Sequence, residues 1–79
     1  MKIEVHLYAM LRETVGASFV LELNEEQPTS DSLIHAFKLE FPMFENIPLR
    51  VAVDHSFVSH NMALKENQHI ALIPPVSGG

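Results

Sequence analysis

Apolar and polar residues alternate in two short segments near the start of the chain, which is the pattern of half-buried β-strands. In the segment KIEVHLY the apolar positions are Ile3, Val5 and Leu7. In the segment SFVLEL they are Phe19, Leu21 and Leu23. The intervening AMLRETVG favours a short turn of helix that ends at Gly16. Together these segments predict an amino-terminal β-hairpin.

The next periodic segment has helical spacing and follows the polar stretch NEEQP. Either Thr29 or Ser30 can accept hydrogen bonds from the first helical amides, and the carboxylate of Asp31 suits the positive end of the helix dipole. The i, i+1, i+4, i+8 spacing predicts a buried face formed by Leu33, Ile34, Phe37 and Phe41. Pro42 ends the helix because its ring has no N–H to donate.

The remaining segments complete an α+β pattern. MFENIP is interpreted as irregular chain that places Phe44 or Ile47 beneath the sheet, and RVAVD, FVS and HIALIP predict short strands. One helix between the hairpin and the later strands covers one face of a mixed sheet of four to five strands, which is the β-grasp arrangement. We expect one domain over residues 1–75, a flexible tail over residues 76–79, and one uncovered sheet face.

Composition narrows the classes of partner. The 79 residues are 47% hydrophobic and 19% charged, with a net charge of −5, as in a soluble globular domain. The five lysine and arginine residues are scattered, so no nucleic-acid surface is expected, and the acidic balance suits a basic protein partner. The chain has no cysteine, no membrane-length apolar segment and no signal-peptide pattern. We therefore expect a cytoplasmic protein without a membrane partner.

No group of residues predicts catalysis by the chain alone. Asp54, His55 and Ser56 are consecutive, so their side chains point alternately to opposite sides, and we interpret them as a turn rather than a catalytic triad. The histidines form no i, i+4 helical pair, and each is predicted to face solvent, so no metal site is expected. They are His6, His35, His55, His60 and His69.

The carboxyl-terminal segment PPVSGG carries the strongest functional signal. Two of the three glycines in the sequence are Gly78 and Gly79. Pro74 and Pro75 restrict φ and predict a stiff stem that protrudes from the last strand. Residues without a β-carbon can pass through a narrow channel and deliver the carboxylate of Gly79 into another protein's active site. A frayed terminus or a vector-derived addition would give a similar ending.

Four segments carry a family resemblance: VHLYAMLRETVG, PTSDSLIHAF, HSFVSHNMAL and PPVSGG. They resemble the small subunits of molybdopterin synthase, the MoaD branch of the ubiquitin-like sulfur carriers, and the resemblance covers essentially the whole chain. The family often has an acidic residue followed by glycine in this turn. In the segment LKENQHI these positions are Glu66 and Asn67, so asparagine replaces the glycine. Asparagine tolerates a left-handed φ, so we expect the turn to be kept.

The resemblance implies a sulfur-transfer function. In the family an ATP-dependent activating enzyme adenylates the terminal glycine carboxylate, here that of Gly79, and sulfur replaces the adenylate to leave a thiocarboxylate. The tail, with Gly78, then enters the large synthase subunit, which supplies the catalytic groups, and the sulfur builds the dithiolene of molybdopterin. The chain would bind no cofactor itself, since the activating enzyme uses the ATP. The family's synthase is a heterotetramer with two small and two large subunits.

The uncovered sheet face is expected to dock both the large subunit and the E1-like activating enzyme. Apolar residues out of register with the core can form such a patch, and Phe57 and Ile73 correspond to partner-facing positions in the family. The expected partner-binding residues are Tyr8, Phe57, Ala71, Ile73, Pro74, Pro75, Val76 and Ser77.

The sequence leaves three other functions open. A sulfur carrier for thiamin shares the fold and the glycine pair, although the chain length and the PPV stem favour molybdopterin. A ubiquitin-like modifier would join its terminal carboxylate to lysine side chains of other proteins. A plain β-grasp interaction domain would use no chemistry at its tail.

Overall fold

A five-stranded sheet forms the framework of the chain, whose residues 1–75 are described by a computed structural model. The elements are β1 (Lys2–Leu7), α1 (Ala9–Thr14), β2 (Ser18–Glu22), α2 (Ser30–Glu40), a 3-10 helix (Pro42–Phe44), β3 (Arg50–Val53), β4 (Ser56–Phe57) and β5 (Ile70–Ile73). The strand order is β2-β1-β5-β3-β4. The β1–β5 pair is parallel and the other three pairs are antiparallel. The element order and the mixed sheet agree with the sequence-based prediction.

The amino-terminal hairpin pairs β1 with β2 and keeps the alternation seen in the sequence. Ile3 lies opposite Leu21, and Val5 lies opposite Phe19, so the apolar side chains of both strands share the face that packs into the core. The amino group of Met1 extends the pairing, because it donates to the carbonyl of Leu23 at 2.7 Å.

Helix α2 begins at a reciprocal capping box. The hydroxyl of Thr29 accepts from the backbone N–H of Ser32 at 3.2 Å, and the hydroxyl of Ser32 accepts from the N–H of Thr29 at 2.7 Å. Thr29 is therefore the capping residue. Ser30 has a different role, because its buried hydroxyl accepts from the N–H of Met62 at 3.0 Å and fastens the helix start to the segment before Leu64.

The core lies between α2 and one face of the sheet. The side chains of Leu33 and Phe37 are fully buried, as the helical spacing predicts. Ile34 and Phe41 are only half-buried, although the same spacing predicts them in the core. Phe41 follows the last helical residue with a φ of −126°, so it no longer continues the helical face, and its ring packs at 5.0 Å from Phe37.

The segment after α2 is more regular than the sequence indicates. Pro42 occupies the first position of the 3-10 helix, where its fixed φ is favourable and its missing N–H is not needed. This helix directs Phe44 into the core, with its ring 5.9 Å from that of Phe37. Ile47 is half-buried at the same side.

Two turns contain residues with positive φ. Asp54 and His55, with φ values of 50° and 70°, form the two-residue turn between β3 and β4, and this pairing of positive φ values is typical of a type I′ hairpin. The prediction of a turn at this segment is confirmed. Asn67 has a φ of 68°, as expected from its tolerance of the left-handed conformation.

Replacement of Thr29 by alanine removes the capping oxygen and should lower the free energy of unfolding by about 1 kcal/mol. The control is Thr14→Ala, since Thr14 is exposed at the end of α1 and its loss should change stability by less than about 0.5 kcal/mol. Urea denaturation followed by circular dichroism measures both. Equal effects of the two substitutions would show that the capping box does not stabilise α2.

Candidate functional site

The sheet face opposite α2 contains a depression with two alanines at its floor. The strand register places His6, Ala71, Ala52 and Phe57 in one row across β1, β5, β3 and β4. Because the two central residues of this row have only a methyl group, the larger side chains around them enclose a cavity of about 170 Å³. It is lined by Tyr8, Ala52, His55, Phe57, His69, Ala71 and Ile73.

The structure brings together the four apolar residues that the sequence assigns to docking. Tyr8 is 42% exposed and Phe57 is 50% exposed, whereas Ile73 is half-buried. Ala71 is only 3% exposed, so it forms the floor of the depression rather than part of a raised patch. The four residues therefore lie together on the sheet face opposite α2, and that face is concave.

Arg50 adds a positive charge to this face, and its sequence position alone does not predict that location. Its guanidinium carbon lies 4.0 Å from the centre of the Phe57 ring, within the range of a cation–π contact. Arg50 also lies opposite Ile73 in the β3–β5 ladder. Side chains alternate along β3, so Arg50 lies on the same face as Ala52. Once the sheet is known, this alternation is the sequence signal that assigns Arg50 to the depression's face.

Three histidines stack beside the depression, and the expectation that each histidine faces solvent holds for His55 but not for His6 and His69. The rings of His6 and His69 lie 4.2 Å apart and nearly parallel, and the rings of His55 and His69 lie 4.5 Å apart. His6 and His69 are half-buried, and the buried Nδ1 atom of His69 has no hydrogen-bond partner within residues 1–75. The parallel β1–β5 pairing, which brings distant residues side by side, produces this stack.

The segment of Asp54, His55 and Ser56 does not form a catalytic triad. The carboxylate of Asp54 accepts from the backbone N–H of His69 at 2.9 Å, and its own N–H donates to the carbonyl of His69 at 2.8 Å. These bonds hold the turn against the start of β5, while the ring of His55 stacks on His69. In the part of the chain that the structure describes, no group of three or more histidine, aspartate or glutamate side chains is arranged to hold a metal ion.

The exit of the chain from the sheet lies at the rim of the depression, because Ile73 both ends β5 and lines the cavity. Pro74 is buried, which contradicts the prediction that both prolines protrude, and only Pro75 is exposed. The prediction of a protruding stem is therefore wrong for Pro74, and Pro75 is the first exposed residue after β5. Val76, Ser77, Gly78 and Gly79 lie outside the described residues.

Comparison with known proteins identifies the family. Residues 5–79 match the model of the ThiS family. The chain belongs to the ThiS family. This ThiS-family chain is 34% identical over 82 residues to the molybdopterin synthase sulfur carrier subunit of Dictyostelium discoideum, with 96% of the chain and 94% of that relative covered. The resemblance to the MoaD branch of the sulfur carriers is thereby confirmed.

A solved structure shows the same fold. The crystal structure of SAMP1 from Haloferax volcanii superposes on this ThiS-family chain with a TM-score of 0.79, covering 100% of both chains at 22% sequence identity. The predicted β-grasp fold is confirmed by this similarity.

Neighbouring residues of β5 should respond differently to substitution, because they face opposite sides of the sheet. Ala71→Val adds methyl groups to an open depression and should change the free energy of unfolding by less than about 1 kcal/mol. Leu72→Ala empties a fully buried position and should lower it by about 2–5 kcal/mol. Urea denaturation compares them. A cost for Ala71→Val as large as that for Leu72→Ala would show that the depression is tightly packed.

Proposed function

We propose that this chain is the sulfur carrier and small subunit of a molybdopterin synthase. The observation that carries this proposal is the similarity to the Dictyostelium discoideum sulfur carrier subunit along nearly the whole chain. The match to the ThiS family, which extends through Gly79, supports the same function. The site geometry fits it, because the chain leaves the sheet beside an apolar depression on which a partner can dock.

The chemistry takes place at the carboxylate of Gly79. A carboxylate is a poor acceptor for nucleophiles, so the activating enzyme first joins it to the α-phosphate of ATP and releases pyrophosphate. A sulfide equivalent then attacks the acyl carbon, AMP leaves, and the chain ends in a thiocarboxylate. Gly78 and Gly79 present no side chain to the channel through which the tail must pass. The chain binds no cofactor in this scheme, because the ATP belongs to the enzyme.

The depression supplies the docking contacts in this proposal. Apolar walls formed by Tyr8 and Phe57 above a floor of alanines can receive an apolar side chain of the partner and remove it from water. The net charge of −5 favours a partner that is basic overall, whereas Arg50 places a positive charge beside Phe57 at the depression itself. Pro75, Val76 and Ser77 then guide the tail inward. Pro74 holds the start of this stem to the domain instead of contacting the partner, since it is buried.

The same depression serves both partners in turn. The large synthase subunit and the E1-like activating enzyme each need the same terminal residues, and a tail can enter only one active site at a time. The carrier therefore must dissociate from the activating enzyme before it donates sulfur, which favours moderate affinities for both. The catalytic groups belong to the partners, so the chain acts as a substrate-like subunit of the synthase.

A cytoplasmic location is part of the proposal, because activation consumes ATP. None of the helices in residues 1–75 has the length and apolar character required to cross a membrane.

Incubation with an activating enzyme, ATP and a sulfur donor should convert the terminal carboxylate to an alkylatable thiocarboxylate. Intact-mass measurement with and without a thiol-alkylating reagent detects the product, and the alkylation separates it from oxidation of the four methionines. The control is the chain lacking Gly78 and Gly79, which should give no product. If an enzyme that loads another carrier gives no product here, the sulfur-carrier proposal fails. Lysine-linked conjugates that survive thiols would instead indicate a modifier.

The Phe57→Ser substitution should weaken the complex with the large subunit by about 2 kcal/mol, or roughly thirtyfold in Kd, because it removes one wall of the depression. Met43→Ser is the matched control, since Met43 is 62% exposed compared with 50% for Phe57 but does not line the depression. Calorimetric titration measures both affinities. Equal affinities of the two variants would place docking on another surface.

A further inference from the structure

A second surface lies at the sheet edge farthest from β4, between β2 and α2. A groove of about 380 Å³ runs along this edge, and its apolar lining includes Phe19, Val20, Ala36 and Leu39. Val20 is 55% exposed and Leu39 is 68% exposed, so large apolar side chains face solvent on both sides of the groove. Neither residue belongs to the depression or to the tail.

The backbone of β2 has hydrogen-bonding groups available at this edge. Leu7 donates to the carbonyl of Ala17 at 2.9 Å, and Leu23 donates to the carbonyl of Met1 at 2.8 Å. In an antiparallel pair every second residue bonds to the partner strand, so the odd-numbered positions of β2 face β1. The N–H and C=O groups of Ser18, Val20 and Glu22 therefore point away from the sheet.

This edge lacks the features that usually protect edge strands. The sequence of β2 is SFVLE, which contains no proline and no lysine. Its single charge, on Glu22, lies 3.3 Å from the amino group of Met1. The opposite edge is formed by β4, which has only two residues and offers little backbone for pairing. The β2 edge is thus the one able to accept an added strand.

The charges around the groove determine which kind of segment it fits. Glu22 and Glu40 are among its lining residues, and no lysine, arginine or histidine is. The carboxylate of Glu22 is paired with the amino group of Met1, which leaves the carboxylate of Glu40 to interact with a partner. We propose that the groove binds an extended segment of a partner protein, apolar at alternate positions and basic at its flanks, which pairs with β2 as an additional strand. The backbone bonds provide affinity, Leu39 and Phe19 receive the apolar side chains, and the carboxylate of Glu40 together with the net charge of −5 favours the basic flanks.

A second copy of this chain fits the groove less well. It would bring the same carboxylates to the contact, and each chain has a net charge of −5. Like charges brought together in a contact oppose association, whereas a basic segment gains from the same field.

A capped synthetic peptide of sequence KVRITVK tests the proposal, with the matched peptide EVEITVE as its control. Each is titrated into the full-length, nitrogen-15-labelled chain, and amide shifts are followed by NMR. The basic peptide should shift the amides of β2 and of the second half of α2, and its affinity should fall as salt is raised. The acidic peptide should bind at least about tenfold more weakly, because its glutamates are repelled by the acidic chain.

Two substitutions locate the binding. Leu39→Glu removes the apolar wall of the groove and should weaken binding of the basic peptide about tenfold or more. Met43→Glu is the control, because it adds the same charge outside the groove lining and should have a smaller effect. Val20→Pro removes an outward N–H but no bond to β1, so it should also weaken binding.

Three outcomes would overturn the proposal. These are equal binding of the two peptides, shifts confined to the depression, and no shifts at any peptide concentration. Sedimentation equilibrium of the free chain adds a fourth. A dimer that Leu39→Glu abolishes would identify a second copy as the occupant of the groove.

Discussion

The parallel pairing of β1 with β5 is the constraint on which the rest of the structure depends. Leu7 lies opposite Leu72, so both strands end at the same edge of the sheet, and the next residues, Tyr8 and Ile73, both line the depression. A parallel pair cannot be joined by a tight turn, and the intervening chain must cross over, which is the role of α2. The same pairing therefore helps to form the core and brings the end of β5, at Ile73, to the rim of the depression.

The two faces of β5 have different surroundings, because one packs into the core and the other lines the depression. Ile70 and Leu72 point into the core and are almost fully buried. Ala71 points to the opposite face, where a larger residue would fill the depression. A chain of this length has one core, and covering the second face would require another layer of structure. That face is therefore left open, and the proposed docking needs no additional residues.

Local patterns in the sequence predicted the α-helices and strands, but neither the 3-10 helix at Pro42–Phe44 nor the long-range contacts. Alternation located β1 and β2, the polar residues before α2 located its start, and Asn67 occupies the turn with positive φ that its side chain tolerates. The histidine stack depends on the register between β1 and β5, which are more than 60 residues apart in sequence. The burial of Pro74 likewise depends on the packing of the folded domain, whereas proline stiffness is a local property.

The positions of the two surfaces determine whether they can be used together. The depression involves β1, β5, β3 and β4, and the groove lies outside β2, at the other end of the strand order. Four strand spacings separate β2 from β4, or about 19 Å at about 4.8 Å each. A segment paired with β2 would therefore leave Phe57 accessible. In the proposed function the activating enzyme must leave the depression before the large subunit can occupy it. A contact that persists during this change of partner must therefore lie outside the depression, as the groove at β2 does.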